Sequence, residues 1–152
     1  MKKAFTMIEL IFVIVILGVL SAVALPKFAK TKEMADISKG RSDVAAIRSS
    51  ILTEKQSQLI KGTNSFIPKL SNGTTLFTGD GTRTLMTYGI VPGTTAGKWS
   101  SVGISGTTDL YDFKVDTTNI RFTYESDDGT FTCPRGTTSP TSAQKTCRKL
   151  VD

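Results

Sequence analysis

One apolar stretch near the amino terminus constrains this chain more than any other feature. From Leu10 to Leu20 every residue is apolar or glycine, and the apolar character extends from Phe5 to Leu25. As a helix, the longer stretch rises roughly 31 Å, close to the hydrocarbon thickness of a bilayer. The sequence therefore predicts a helix that can enter or cross a membrane.

Three interpretations of this segment compete. A secretory signal peptide would use the basic pair Lys2-Lys3 and be cut after the small residues Ala22-Val23-Ala24. An uncleaved anchor would keep the whole segment. A short leader would be removed near residue 4 and leave the apolar run on the mature chain.

Glu9 favours the short leader. Its carboxylate stands inside the apolar stretch, and a charged side chain costs about 2.5–3.5 kcal/mol at the membrane centre and less near the interface. A disposable signal peptide gains nothing from that cost. A retained helix can use the charge if the carboxylate meets a partner.

The segment Ala4-Phe5-Thr6-Met7-Ile8-Glu9 resembles the prepilin motif of the type IV pilin and type II secretion pseudopilin family. That motif has a small residue, then Phe, Thr, two further residues and Glu. Gly18 and Pro26 also stand where helices of the family carry a glycine and a proline. The family usually has glycine before the cleaved bond, whereas this chain has Ala4. The similarity covers the region up to about residue 30, and the rest of the chain resembles the family in architecture.

The resemblance implies specific processing. In this family a membrane-embedded aspartyl peptidase cuts before the Phe on the cytoplasmic side and methylates the new amine. We therefore expect cleavage between Ala4 and Phe5, N-methylation of Phe5, and a role for Glu9 in assembly, with no cofactor. Loss of Lys2 and Lys3 would lower the formal charge from +6 to +4.

The resemblance also implies a location and partners. The mature chain would cross the inner membrane once with its head in the periplasm, and the filament would lie in the periplasm or at the cell surface. The partners would be other copies of the chain, minor pilins or pseudopilins, the prepilin peptidase and the inner-membrane assembly platform. DNA or a secreted protein would be the cargo.

Helical periodicity continues beyond the membrane segment, and it indicates one long helix from about Phe5 to Lys61, ended by Gly62. The family places helix kinks at Gly18 and Pro26, and Pro26 has no amide hydrogen, so we expect a bend there. The apolar positions of the second half are Ile37, Val44, Ile47 and Ile51. The predicted parts are a leader at 1–4, a membrane and assembly helix at 5–25, the second half of the helix at 26–62 and a β-rich head at 63–152.

The head sequence predicts a small antiparallel sheet. Residues 63–105 are rich in Gly, Thr and Asn, which predicts loops and short strands. Three segments with alternating apolar residues follow, separated by turn-like sequences, at 111–115, 120–124 and 131–133. One face of such strands is buried, and the nearest apolar surface is the helix. The predicted fold class is α+β and pilin-like, with one long helix packed on a small antiparallel sheet.

The two cysteines, Cys133 and Cys147, both lie near the carboxyl terminus, and the chain has no histidine. Two cysteines alone cannot form a structural zinc site, which needs four ligands. In an exported head they predict a disulfide, here closing a basic, loop-like tail. The basic residues of that tail are candidates for contact with DNA phosphates, although no aromatic residue is present to stack on bases. They are Arg135, Lys145, Arg148 and Lys149.

Five aspartates of the head are weak calcium candidates, because calcium prefers six to eight hard oxygen ligands. Turn formation and solubility explain the same residues, so no metal site is predicted. The five are Asp109, Asp112, Asp116, Asp127 and Asp128.

The sequence predicts no enzyme and no catalytic residue. Without histidine, the commonest general base is absent. The segment 93–98 has one residue too few between its glycines for a phosphate loop, and Trp99 follows where Ser or Thr would bind magnesium. The segment 79–84 lacks the third glycine of a dinucleotide-binding loop.

The predicted function is a structural subunit of a type IV pilus-like filament that is processed by prepilin peptidase and serves type II secretion or DNA uptake. The alternatives are a subunit of an adhesive or motility pilus, a membrane-tethered binding protein that does not polymerise, and a secreted protein cut after Ala24. The short leader and compact head favour secretion or DNA uptake, whereas the cysteine pair favours a pilin.

Overall fold

The structure is a computed structural model that describes residues 5–105, 108–136 and 139–152. For Pro26, Ile104 and Ser105 it describes the backbone alone. Ala4, which is predicted to precede the cleaved bond, lies outside the described residues.

The described residues form two helices and one four-stranded sheet, which confirms the predicted α+β class. Helix α1 spans Met7–Ile60 and helix α2 spans Ser142–Val151. The sheet is an antiparallel meander in the order β1-β2-β3-β4. Its strands are β1 at Trp99–Ser105, β2 at Thr108–Val115, β3 at Thr118–Glu125 and β4 at Thr130–Thr132.

The chain divides into two compact units, a first that ends at Ala35 and a second at Asp36–Asp152. In the first unit, α1 carries the apolar run, and none of the most apolar stretch is buried. By length and composition this helix can cross a membrane. Helix α1 continues through Gly18 and Pro26, so neither residue interrupts it, and the bend at Pro26 stays a prediction.

Helix α1 ends as the sequence predicts, at a glycine. Gly62 adopts a positive φ of 82°, a conformation that glycine tolerates without steric cost. Its amide donates to the carbonyl of Leu59, and the amide of Thr63 donates to that of Gln58. These two bonds satisfy carbonyls that the end of the helix leaves unpaired.

The core of the second unit forms where α1 packs against the sheet. The predicted helical stripe is confirmed, since Val44, Ile47 and Ile51 are all buried in one cluster with the apolar side chains of the strands. Aromatic rings fill much of that cluster, and the rings of Phe122 and Phe131 stack with centroids 5.1 Å apart. Large aromatic side chains each remove much apolar area from water, so this cluster dominates the stability of the unit.

Strand β1 is a fourth strand beyond the three that alternation predicts. It pairs with β2, with an irregular register between Ser101 and Gly103. Its first residue, Trp99, is fully buried, and the indole Nε1 donates to Oδ2 of Asp43 on α1 at 2.9 Å. The serine- and glycine-rich remainder of β1 lacks the apolar alternation that identifies a strand, so pairing with β2 decides its conformation.

One buried ion pair holds the loop-rich segment before β1 against the helix. Arg83 donates Nε to Oε1 and Nη2 to Oε2 of Glu54, both at 2.7 Å. The same guanidinium donates to the carbonyls of Ser65 and Phe66, both at 2.9 Å. A bidentate guanidinium that also satisfies two main-chain carbonyls fixes three chain segments to one another. Nothing in the sequence singled out this pair.

The prediction of a loop-like tail is wrong, because helix α2 occupies it. Thr141 caps the helix with its side chain accepting from the amide of Gln144, and the Gln144 side chain accepts from the amide of Thr141. This reciprocal capping satisfies two amides that a short helix would otherwise leave unpaired. Cys147 and Leu150 are buried on one side of α2, and that burial stabilises ten residues that would not be stably helical alone.

Candidate assembly site and basic head surface

The beginning of α1 is closed by a side-chain cap between Thr6 and Glu9. Oε2 of Glu9 accepts from the amide of Thr6 at 3.2 Å and from its hydroxyl at 3.1 Å. The Thr6 hydroxyl oxygen in turn accepts from the amide of Glu9 at 3.3 Å. Thr6 and Glu9 therefore form a capping box, and the carboxylate stabilises the positive end of the helix dipole.

The cap uses one of the two carboxylate oxygens of Glu9. All of its described hydrogen bonds use Oε2 or the main chain, and within the described residues no hydrogen bond to Oε1 is formed. The carboxylate is exposed, as is Phe5, which is 81% exposed. A fixed carboxylate with one available oxygen can accept a hydrogen bond from a cationic group outside this chain.

Around this cap, the first unit exposes a continuous apolar surface. Such a surface is unstable in water and is expected only where lipid or another apolar helix covers it. The large apolar side chains that are exposed near the amino end include Met7, Ile8, Leu10, Ile11 and Phe12.

Comparison with known proteins supports the resemblance to pilins and pseudopilins. The family model described as "Prokaryotic N-terminal methylation motif" matches residues 1–25, the segment that holds the predicted cleavage site, the capped Glu9 and the apolar run. The amino-terminal segment therefore carries the methylation motif that is expected of a pilin or pseudopilin. A relative of this pilin-like chain, "Type II secretion system core protein G" of Dickeya chrysanthemi, is 38% identical over 72 residues.

That alignment covers 47% of the pilin-like chain and 43% of the relative. The chain therefore spans less than half of the length of the curated relative it matches. No solved structure matches the chain. The motif and the long apolar helix fit a membrane-anchored protein.

The predicted disulfide is present in the head. Cys133 follows β4 and Cys147 lies on α2, and the two are joined with their Cα atoms 6.0 Å apart. Both residues are buried within the apolar core. The bond therefore ties α2 to the end of the sheet.

Two of the five calcium candidates are buried and already have partners. Oδ2 of Asp109 accepts from the amide of Leu70 at 2.8 Å and from the Tyr111 hydroxyl at 3.3 Å. Burial raises the pKa of Asp109, and the two hydrogen bonds and the Lys69 charge only partly oppose that rise. Asp112 forms a bidentate pair with Arg121 on the neighbouring strand.

The other three candidates lie at turns. Asp116 has a φ of 52° in the turn between β2 and β3. Asp128 accepts from the amide of Thr130 at 2.9 Å, and hydrogen bonds from Thr130 lower its pKa. Asp127 precedes Asp128 in the turn between β3 and β4. Across the ranges that the structure describes, no group of three or more His, Cys, Asp or Glu side chains could hold a metal ion.

The four basic residues of the tail come together, and two arginines of α1 join them. Arg41 donates from Nε and Nη2 to the carbonyl of Lys149, at 3.1 and 2.6 Å. Arg148 donates to the carbonyls of Arg135 and Gly136, at 3.0 and 2.5 Å. We call the resulting surface the basic face. It comprises Arg41, Arg48, Arg135, Lys145, Arg148 and Lys149.

Arg48 extends the basic face towards the sheet. Its Nε donates to the carbonyl of Phe131 at 3.0 Å. Burial and the neighbouring Arg135 cation lower the pKa of Arg48, which indicates that two positive charges lie close together. Arg135 pairs with Asp152 at 3.2 Å.

Sequence reasoning missed three of these features for different reasons. The Thr6–Glu9 spacing is itself a capping signal and could have identified the cap. Arg41 and Arg48 carry no local signal, since their role depends on α2 folding against α1. The tail helix had its own signal in Thr141 and Gln144, which also have the capping-box spacing.

Proposed function

We propose that this chain is the structural subunit of a type IV pilus-like filament and assembles through its amino-terminal helix. The observation that carries the proposal is the capped Glu9 carboxylate beside an exposed Phe5, at the start of an exposed apolar helix within the matched methylation motif. Many copies would bundle these helices in the fibre core, where each covers the apolar surface of its neighbours.

In this proposal Glu9 of an incoming subunit meets the amine of Phe5 on a subunit already in the fibre. An unpaired carboxylate is costly among apolar helices, whereas a paired one is tolerated. The pairing therefore selects the register and depth at which each subunit enters. The cap supports this role, because Thr6 holds Oε2 and fixes the carboxylate while Oε1 remains available.

Proteolytic cleavage before Phe5 would create the amine that Glu9 meets. We propose that prepilin peptidase cuts between Ala4 and Phe5 and methylates Phe5, and that the mature chain crosses the inner membrane once with its head in the periplasm. Phe5 is then a substrate position of another enzyme, and this chain performs no catalysis. The absence of histidine from the sequence agrees with a structural role.

The relative supports a role in a secretion system. That relative is named as a core protein of the type II secretion system, so we propose a pseudopilus-like filament working with minor subunits and an inner-membrane assembly platform. A pilus for DNA uptake is the second candidate, and the six-residue basic face is the observation that favours it.

The first test is the amino terminus of the mature protein. Intact and peptide mass spectrometry of membrane fractions should find N-methylated Phe5. Retention of Met1 would instead identify an uncleaved tether, and a chain beginning at Leu25 would identify a secreted protein. Either of these results would contradict the proposal.

The second test separates the charge of Glu9 from its capping function. Gln can close a capping box as Glu does, so Glu9→Gln keeps the cap and removes the charge. We expect Glu9→Gln, Glu9→Ala and Glu9→Val to insert and be cleaved but to leave filaments undetectable by electron microscopy. Thr6→Ala is the matched control, since it weakens the cap and keeps the charge, and we expect it to retain filaments.

Filaments of normal abundance from Glu9→Gln would contradict a role for the charge. Loss of cleavage in all three Glu9 variants would mean that the peptidase recognises this residue. That result would contradict the pairing mechanism.

A further inference from the structure

We propose that the basic face of the second unit binds the phosphate backbone of double-stranded DNA without recognising its sequence. This inference goes beyond filament assembly, because it assigns a ligand to a surface of the second unit that assembly through α1 does not require. It rests on how α2 is oriented, on what its arginines contact, and on where the acidic residues lie.

Helix α2 presents its positive charges to solvent. Cys147 and Leu150 are buried, and at about 100° per residue Lys145, Arg148 and Lys149 fall on the opposite side. All three are exposed. Lys145 and Lys149 are one helical turn apart, so their ammonium groups can contact the same strand of a polyanion.

Most of the positive charge of this surface is not paired with a carboxylate of the described residues. Arg41, Arg48 and Arg148 donate to main-chain carbonyls rather than to carboxylates. Among the described residues, Asp152 is the acidic side chain that forms an ion pair with the basic face, through Arg135. Carbonyl contacts orient the guanidinium groups and leave their charge available to an external anion.

Acidic residues of α1 lie away from the basic face. Arg41 and Arg48 are seven residues apart and therefore share one flank of the helix. Asp36 and Asp43 lie on the other flank, where Asp36 lies beside Gly97 and Asp43 accepts from Trp99. Positive charge thus continues from α1 onto α2 without interruption by those carboxylates.

In its described residues, the second unit of another copy does not offer a matching acidic surface. Several carboxylates of the second unit are engaged inside it, as Glu54 is by Arg83 and Asp112 by Arg121. Besides Asp152, the acidic residues that the described part of this unit leaves exposed are Asp116, Asp127 and Asp128. Three carboxylates at two turns cannot match six cations, whereas duplex DNA carries one charge about every 1.7 Å.

The chemistry of the surface also sets the mode of binding. From Cys133 to Asp152 the sequence has no aromatic residue, so base stacking is not available. Contacts limited to phosphates are individually weak, strongly dependent on salt and independent of sequence. An array of heads binds more tightly than a single head, because many weak contacts act together. A filament would supply that array, and a membrane displaying many copies supplies it without polymerisation.

The test uses the full chain in vesicles of neutral phosphatidylcholine, mixed with a labelled short duplex of mixed sequence and floated on a density gradient. We expect the duplex to float with the protein-bearing vesicles, with affinity falling about a thousandfold or more between about 50 and 200 mM salt. Duplexes of unrelated sequence should bind equally.

The decisive variant is Lys145→Gln with Lys149→Gln, because both lysines are exposed and the structure shows no hydrogen bond or ion pair from either described ammonium group. We expect binding about tenfold weaker or worse near 0.1 M salt, and a salt slope smaller by about 2. The matched control is Lys61→Gln with Lys69→Gln, which removes the same charge from exposed lysines outside the basic face and should leave binding unchanged.

Three results would overturn the proposal. The first is no duplex flotation above that of empty vesicles, and the second is equal weakening by both variant pairs. The third is loss of filaments in cells by Lys145→Gln with Lys149→Gln, which would assign the face to subunit packing. Filament loss by the Glu9 variants is scored separately, so failure of the assembly proposal leaves this result interpretable.

Discussion

At the scale of single residues, Gly40 shows how little space the core leaves. A Cβ built on Gly40 would contact the ring of Phe113 on β2 and would lie 2.7 Å from Cδ2 of Leu150 on α2. The missing side chain therefore allows α1 to approach a strand and a helix at one point. Glycine inside a helix is otherwise unfavourable by about 1 kcal/mol relative to alanine.

These two effects oppose each other in Gly40→Ala. Overpacking a core costs about 1–3 kcal/mol, which exceeds the gain in helix propensity, so we expect a lower free energy of unfolding. Urea unfolding followed by circular dichroism measures it. Ser42→Ala, at an exposed position of the same helix, is the control and should be neutral or slightly stabilising. A Gly40→Ala protein as stable as wild type would show that Phe113 and Leu150 can move aside.

Asp109 makes the folding stability of the head depend on pH. Burial is the main cause of its raised pKa, so folding favours the protonated form. The stability linked to this group is fully present below the ordinary aspartate pKa and is lost as the pH rises through the raised value. Asp109→Asn keeps an acceptor for the Leu70 amide and removes the titration.

We therefore expect the stability of Asp109→Asn relative to wild type to improve as the pH rises from about 3 to about 7. Paired urea titrations across that range measure the difference. Asp116→Asn, at an exposed turn, is the control and should not reproduce the trend. A difference between Asp109→Asn and wild type that stays constant with pH would contradict the assignment.

At the scale of elements, α2 depends on its attachment to the sheet. It has ten residues, a capping box, two buried side chains and a disulfide to the end of β4. An isolated helix of this length is not stable in water. The covalent link, the cap and the buried face must therefore act together, and the basic face depends on all three.

Replacing both cysteines by serine tests this dependence. Loss of a bridge that closes a 15-residue loop is expected to lower the free energy of unfolding by about 3 kcal/mol. Non-reducing mass spectrometry of the wild type should show the two-dalton loss of one disulfide. Thr141→Ala, which removes the cap and keeps the bridge, should cost about 1 kcal/mol. Two alkylatable thiols in material from an oxidising compartment would contradict the assignment.

At the scale of the whole molecule, the two units differ in what stabilises them. All the buried apolar residues of the described core belong to the second unit, between Val44 and Leu150. The first unit is helical and exposes its apolar side chains. The first unit therefore needs lipid or other helices around it, whereas the second has a core of its own.

A chain that begins at Lys27 should accordingly fold as a water-soluble domain. We expect one cooperative thermal transition by circular dichroism and an intact Cys133–Cys147 bridge. The full chain, extracted in detergent, is the reference and should show the same near-ultraviolet spectrum from Trp99. Aggregation of the fragment, or a spectrum without fixed aromatic signals, would mean that the core requires the amino-terminal segment.

The sequence alone determined the parts of this protein that rest on local patterns. The apolar run, the motif around Glu9, the helical stripe through Ile47 and the alternation around Phe113 and Phe122 each need only neighbouring residues, because helix and strand have fixed periods. Tertiary structure decided the rest. Strand β1 and the tail helix become stable only against partners distant in the chain, and the pairing of Glu54 with Arg83 joins residues that no periodicity relates. The basic face exists for the same reason, since its six charges come from three separate segments that packing and one disulfide bring together.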